Sequence, residues 1–178
     1  LAGVDPGLRG AIVLMTPGPA SYGVGCVPPL IRMVRDLWTT KEQRSTRTIS
    51  RIDGQTLAEH LDAMQAVHGF RITRAYIEDV HSMPRDGNRA SHAFGEAVGV
   101  LTGVLAGRGA RVRRIGTARW RRLTACRKLR DGETDTKAPA VERAMELWPE
   151  HREAFSQRSR ADRAEAALIG FGGFLEYE

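Results

Sequence analysis

Apolar residues along this chain recur with two periods, and the changes of period mark the elements. Gly3-Val4-Asp5 leads into Pro6-Gly7-Leu8-Arg9-Gly10 and then the apolar run Ala11 to Met15. A short apolar entry, a Pro-Gly turn and a second apolar run predict a β-hairpin, with Asp5 near the end of its first strand. Thr16 to Ala20 is a Pro/Gly turn, and a third strand is expected over Tyr22 to Val27, ended by Pro28-Pro29. Arg32 to Arg51 is charged, rich in Thr and Ser and weakly periodic, so a loop with a short helix is expected there. Helical spacing then sets in. Asp53 is a fair N-cap for a helix through Leu57, Leu61, Met64 and Val67, stopped by His68-Gly69.

Ile72 to Val80 is the next predicted strand, and His81 to Arg89 a polar loop. A helix from Ser91 to about Ala106 carries Phe94, Val98, Leu101 and Leu105 on one stripe and stops at Gly107 and Gly109. Arg111 to Ile115 is a short strand, and Thr117 is placed as the cap of a short helix containing Trp120 and Leu123. Ala125 to Asp135 is a basic loop. A helix from Thr136 carries Val141, Met145 and Leu147 and stops before Pro149. The last helix is expected from Arg160 to about Phe171, with Gly172-Gly173 and a short tail after it. Three strands in a row, then helix and strand in alternation, predict a mixed sheet flanked by helices in one domain spanning residues 1–178.

Four acids stand out against this pattern. Asp5 ends one strand and Glu78 ends another, Ala75-Tyr76-Ile77-Glu78-Asp79. A buried sheet has little reason to hold a carboxylate unless a cation meets it. Asp79 points to the opposite face of its strand and suits a salt bridge or a loop cap. Asp162 and Glu165 share a face of the last helix. Arg160 and Arg163 offer them simple ion pairs as the plain alternative. Acids from two strands and a helix can otherwise converge on bound Mg²⁺.

Charge sharpens this picture. The 178 residues carry a formal net charge of +6. The only lysines are Lys41, Lys128 and Lys137, so nearly all the positive charge is arginine, whose planar fork suits phosphate. The densest basic run goes from Arg108 through Arg119, Arg121 and Arg122 to Lys128 and Arg130. A polyanion, nucleic acid first, is the partner such a balance favours, a solvated basic face being the alternative. Cys26 and Cys126 lack the spacing of a zinc site and are read as reduced thiols. The reduced thiols lead to the expectation of an intracellular protein, and no membrane-spanning stretch and no signal peptide are visible in the sequence.

The ordered set Val4-Asp5-Pro6-Gly7, Ile77-Glu78-Asp79-Val80, Gly95 to Gly99, Trp120, Lys137, Leu147-Trp148-Pro149 and Arg163-Ala164-Glu165-Ala166 resembles the RuvC-like Holliday-junction resolvases, most closely their phage and organelle branch. The resemblance implies a ribonuclease H-like fold and a structure-specific endonuclease acting as a homodimer on four-way DNA. Asp5, Glu78, Asp162 and Glu165 are then the ligands of two Mg²⁺ ions, with Mn²⁺ as a substitute and no small-molecule cofactor. Two ions about 4 Å apart suit phosphodiester hydrolysis. Lys137 is expected near the scissile phosphate. In bacterial resolvases an aromatic residue three positions after the strand acid wedges into the junction. Here His81 holds that place, with Met83 beside it, and His81 can instead reach the metals. Arg85, Arg89, Arg119, Arg121, Arg122 and Lys128 complete the expected DNA contacts. Ser91, Gly95, Gly99 and Gly103 form a small-residue stripe suited to close approach, either to the chain's own sheet or to a second subunit. A bacterial cytoplasm, with a phage gene as one origin, or a DNA-containing organelle is the expected setting. The alternatives are a nuclease of other branched DNA or RNA–DNA hybrids, and a silent junction binder with an incomplete acid set. An actin-like ATPase also opens on Asp-x-Gly, but this chain is too short for one and has no second such strand.

Overall fold

A computed structural model of the chain describes residues 1–17, 27–44, 47–79, 87–157 and 161–177. The hairpin reading holds: β1 (Ala2–Asp5) pairs antiparallel with β2 (Ala11–Thr16). Gly10 donates its N–H to the Gly7 carbonyl at 2.8 Å. A Cβ on Gly10 would lie 2.0 Å from the Asp5 carbonyl oxygen, so the turn requires glycine there. β3 (Leu30–Asp36) adds antiparallel to β2. β6 (Arg74–Asp79) joins β1 in parallel, and β7 (Arg111–Gly116) joins β6 in parallel. The sheet order is β3-β2-β1-β6-β7.

Both faces of this sheet are covered. One face packs Ala2, Val4, Ile12, Leu14, Ala75 and Ile77 beneath α1 (Gly54–His68) and α2 (Asn88–Gly107). The other packs Ala11, Val13, Met15 and Tyr76 beneath α6 (Asp162–Tyr177). Double coverage explains why β2 is an unbroken apolar run instead of an alternating one. α3 (Thr117–Leu123) and α4 (Ala138–Leu147) flank α6, and a single 3₁₀ turn (Pro149–His151) with the short α5 (Arg152–Ser156) leads towards it.

α6 lies on the sheet through glycine. A Cβ on Gly3 would come 2.1 Å from the Ala166 carbonyl oxygen and 2.5 Å from the Gly170 nitrogen. A Cβ on Gly173 would come 2.1 Å from the Tyr76 ring, and one on Gly172 would come 2.7 Å from Trp120 Cβ. Gly172-Gly173 therefore does not end the helix, as the sequence suggested. The pair lies inside it and makes room for two aromatic rings.

The Asp53 cap holds as expected, its carboxylate accepting from Thr56 N at 2.9 Å, and Gly69 closes α1 at φ +64°. The stretch from Arg32 to Arg51 departs from expectation. It holds most of β3 and a separate hairpin, β4 (Thr39–Arg44) with β5 (Arg47–Ile52). β3 is a sheet edge interrupted by a bulge opposite Leu14 and Met15, so its apolar residues break the two-residue period. The expected strand over Tyr22 to Val27 lies outside the described residues except for Val27, which is in no strand. Among the described residues, no helix is long and apolar enough to cross a membrane.

Candidate active site

The parallel pairing of β1 and β6 brings the strand acids side by side. Val4 faces Ile77 in register, so Asp5 and Glu78 follow at adjacent strand ends. Gly3, Asp5, Tyr76 and Glu78 share the sheet face that α6 covers. The first turn of α6 carries Asp162 and Glu165 to the same place. It is held there by Arg163, which is buried and grips Asp36 of β3 with two hydrogen bonds, 2.6 and 2.9 Å. Arg163 thus serves the edge strand and leaves the two site acids to other partners. Arg160, the other expected partner, lies outside the described residues.

Asp5, Asp162 and Glu165 form a group in which one oxygen of each lies within 4.8 Å of the others. Lys137, at the N-cap of α4, puts its ammonium among them. It meets Glu165 Oε2 at 2.7 Å, contacts Asp162 Oδ1 closely and lies 3.9 Å from Asp5 Oδ2. Arg121 approaches the other Glu165 oxygen at 3.3 Å. Asp5 is 9% exposed. Burial, then the Glu165 charge and that of Glu78, push its carboxyl up from 3.8 to about 7, against the pull of Lys137 and the Gly7 N–H.

The four carboxylates expected around two metal ions gather at this one end of the sheet. Three converge, and Glu78 stands beside them with its own partners. Its Oε1 accepts from the Thr117 hydroxyl at 2.8 Å and the Trp120 indole N–H at 2.9 Å. Thr117 consequently does not cap α3, whose N-cap is Gly116. Asp79, on the opposite face, pairs with Arg114 at 3.8 Å. Cys126 is a buried free thiol, and Cys26 lies outside the described residues.

The basic residues divide into engaged and exposed. Arg119 pairs with Glu176, and Arg121 with Glu165. Arg127 holds Glu133 and Glu142 through four hydrogen bonds of 2.7–2.9 Å, which pulls Glu133 down to about 2. Arg89, Arg122 and Lys128 are exposed. Arg119, Arg121, Arg122 and Lys128 line one cavity of about 700 Å³ next to the acids, together with Arg127 and Cys126. His81, Met83 and Arg85 lie outside the described residues.

The donor set suits a hard divalent cation: three carboxylates, one deeply buried, already collected around the positive charge of Lys137. Sequence reasoning missed Thr117 as a partner of Glu78, and Asp36 and Arg163 as the anchor of α6. The Arg and Asp of that anchor are 127 residues apart, so no local spacing could signal it.

No family model matches this sequence, and no curated protein matches it. Solved structures do. RuvC of Thermus thermophilus in complex with a Holliday junction substrate is 12% identical, with a TM-score of 0.56 over 98% of this chain and 92% of that one. A second structure of Thermus thermophilus RuvC is 15% identical, with a TM-score of 0.57 over the same shares. With its mixed five-stranded sheet between helices, the chain has the fold of RuvC, ribonuclease H-like, over nearly its whole length.

Proposed function

We propose that this protein is a Mg²⁺-dependent endonuclease that cuts four-way DNA junctions by paired phosphodiester hydrolysis. The convergence of Asp5, Asp162 and Glu165 on one cation carries this reading. The match to a RuvC structure bound to a Holliday junction substrate supplies the substrate class. Asp5, Asp162 and Glu165 would hold the metal, with Glu78 as an outlying ligand, and Mn²⁺ would substitute. A divalent ion in such a site lowers the pKa of an attacking water and stabilises the departing 3′ oxygen. The chain's own residues do the rest. β1, β6 and α6 hold the acids in a fixed frame. Lys137 carries a positive charge at the site, where a phosphodiester is anionic. The cations of α3 and the following loop offer phosphate contacts along the strand. Asp162, standing with Asp5 and Glu165, weighs against a silent junction binder. Because the RuvC match rests on fold, nucleases of other branched DNA or of RNA–DNA hybrids are separated by substrate. Labelled four-way, three-way and linear DNA and an RNA–DNA hybrid, each with and without Mg²⁺, should give paired cuts on the four-way junction alone. Cleavage without metal, or equal cleavage of linear DNA, overturns the reading. An intracellular setting with access to DNA follows from the same reading.

Paired cuts call for two copies of the site, and a homodimer supplies them. The α2 stripe supports that assembly. A Cβ on Gly95, Gly99 or Gly103 would meet nothing within 4 Å, so the stripe does not pack on the chain's own sheet. Gly99→Leu should therefore not lower the melting temperature of the monomer, since Leu is the better helix former, while dissociating the dimer at low concentration. Sedimentation with a cruciform-plasmid assay reads both, with nicked plasmid replacing linear plasmid. A dimer that survives this change places the interface elsewhere.

Affinity should depend steeply on salt, with log K falling by about 0.9 per unit of log salt for each duplex phosphate neutralised. Arg122→Ala with Lys128→Ala should flatten that slope, since both side chains are exposed. Arg121→Ala should change it less, since Arg121 is committed to Glu165. Fluorescence anisotropy at several salt concentrations measures all three, and an unchanged slope in the first pair puts the DNA on another face.

A further inference from the structure

We propose that Thr117 and Trp120 are positioning residues for Glu78, holding its carboxylate so that a single oxygen, Oε2, is offered to a metal. The inference rests on the metal-dependent reading above. Two donors on Oε1, at 2.8 and 2.9 Å, use the lone pairs of that oxygen. The indole donor is itself fixed. Trp120 is fully buried, and the backbone of Gly172 comes close behind it. The Arg121 guanidinium lies 5.0 Å over the indole ring. The indole N–H can only donate, and Glu78 is its partner, so turning the carboxylate away would strand a buried donor. Thr117 is the first residue of α3 and follows directly on β7, which pairs with β6 at Glu78 opposite Ile115. Strand pairing therefore sets the backbone that carries this exposed hydroxyl beside the strand that carries the acid.

The arrangement explains why Glu78 stays outside the group formed by the other three acids: α3 holds it back. It also gives α3 two roles at one site, because its next residue, Arg121, reaches Glu165. Partners behind a metal ligand orient it and sharpen its basicity, and their loss typically costs about 10–100-fold in metal affinity or activity.

The test uses the full chain as wild type, Trp120→Phe, Thr117→Val, Thr117→Ser and the double variant Trp120→Phe/Thr117→Val. Phe keeps most of the buried ring and removes the N–H, while Ser restores the hydroxyl that Val lacks. Mn²⁺ binding is followed by calorimetry and by the loss of the free-ion electron paramagnetic resonance signal. Four-way junction affinity is measured in parallel in Ca²⁺. Each single loss should weaken the Mn²⁺ midpoint several-fold, and the double variant should weaken it about tenfold or more, with junction affinity unchanged. Thr117→Ser should bind Mn²⁺ as wild type does. A purely structural role would lower the melting temperature and leave the Mn²⁺ midpoint in place, which overturns the inference. If Trp120→Phe does not fold, the Thr117→Val and Thr117→Ser pair decides alone. A wild-type chain that binds no Mn²⁺ overturns the metal reading and the inference together. Wild-type binding with unaltered variants overturns the inference only.

Discussion

Asp5→Asn is expected to abolish junction cleavage, to leave junction binding intact, and to make the metal-free protein more stable at pH 8. The first two effects follow from an acid that holds an ion and not the DNA. The third follows from the environment of the carboxyl. Burial, with Glu165 and Glu78 near it, raises the folded-state value to about 7, against 3.8 ordinarily. Between those values the folded chain keeps a proton that the unfolded chain has released. Stability therefore falls as pH rises from about 4 to 7 and levels off above. In the variant this slope disappears. The gain at pH 8 is on the order of 2–4 kcal/mol, or roughly 5–15 °C in melting temperature for a chain of this size. Thermal melts in EDTA between pH 4.5 and 8.5 measure it. A parallel pH dependence in wild type and variant would mean that Asp5 is ionised without cost in the fold.

Gly3→Ala is expected to have the largest structural effect. The new methyl carbon would sit 2.1 Å from a backbone oxygen and 2.5 Å from a backbone nitrogen of α6. Neither atom can rotate away, so the helix must lift off β1. Overpacking at such a contact costs on the order of 3 kcal/mol or more, about 6–12 °C in melting temperature. Because Asp162 and Glu165 ride on α6 while Asp5 rides on β1, the acids separate as the helix lifts. Mn²⁺ binding should weaken together with stability, at temperatures where circular dichroism still reports a folded chain. An unchanged melting temperature would mean that α6 does not pack against β1.

These two residues also show what was legible in advance. Asp5 could be found from sequence because a carboxylate between an apolar strand and a Pro-Gly turn is anomalous wherever the chain folds. The β1–β2 hairpin, the α1 cap and the C-terminal ends of α2 and α4 were equally readable, since they depend on local spacing and on residues with special backbone preferences. Gly3 gave no such signal. Its meaning comes from Gly170, which is far away in sequence, and the Gly172-Gly173 pair misled for the same reason. Local propensity puts glycine at helix ends, while tertiary contact put these two inside a helix against Trp120 and Tyr76. The strands within residues 32–51 escaped because a bulged edge strand and a Thr-rich hairpin carry few of the large apolar residues that announce a strand. Three site acids meet as the spacing suggested. The separate anchoring of Glu78 depends on a hydroxyl and an indole 39 and 42 residues downstream, beyond any periodic pattern.

The place of the Lys137 side chain has a bearing on ion selectivity. An ammonium attached to the chain is a competitor that cannot be diluted, because its effective concentration at the acids is set by its tether. That tether is short: α4 begins at the next residue and packs against α6, and Arg127 cross-links the preceding loop to α4 through Glu133 and Glu142. A monovalent ion arriving from solution would exchange one unit of charge for an equal unit already in place and gain nothing electrostatically. On the metal-dependent reading proposed above, a divalent ion would double the compensating charge facing three carboxylates, and the released ammonium would become available to a phosphate. The chain would then discriminate by valence before ionic radius or coordination geometry comes into play, with Na⁺ and K⁺ as poor occupants of the site.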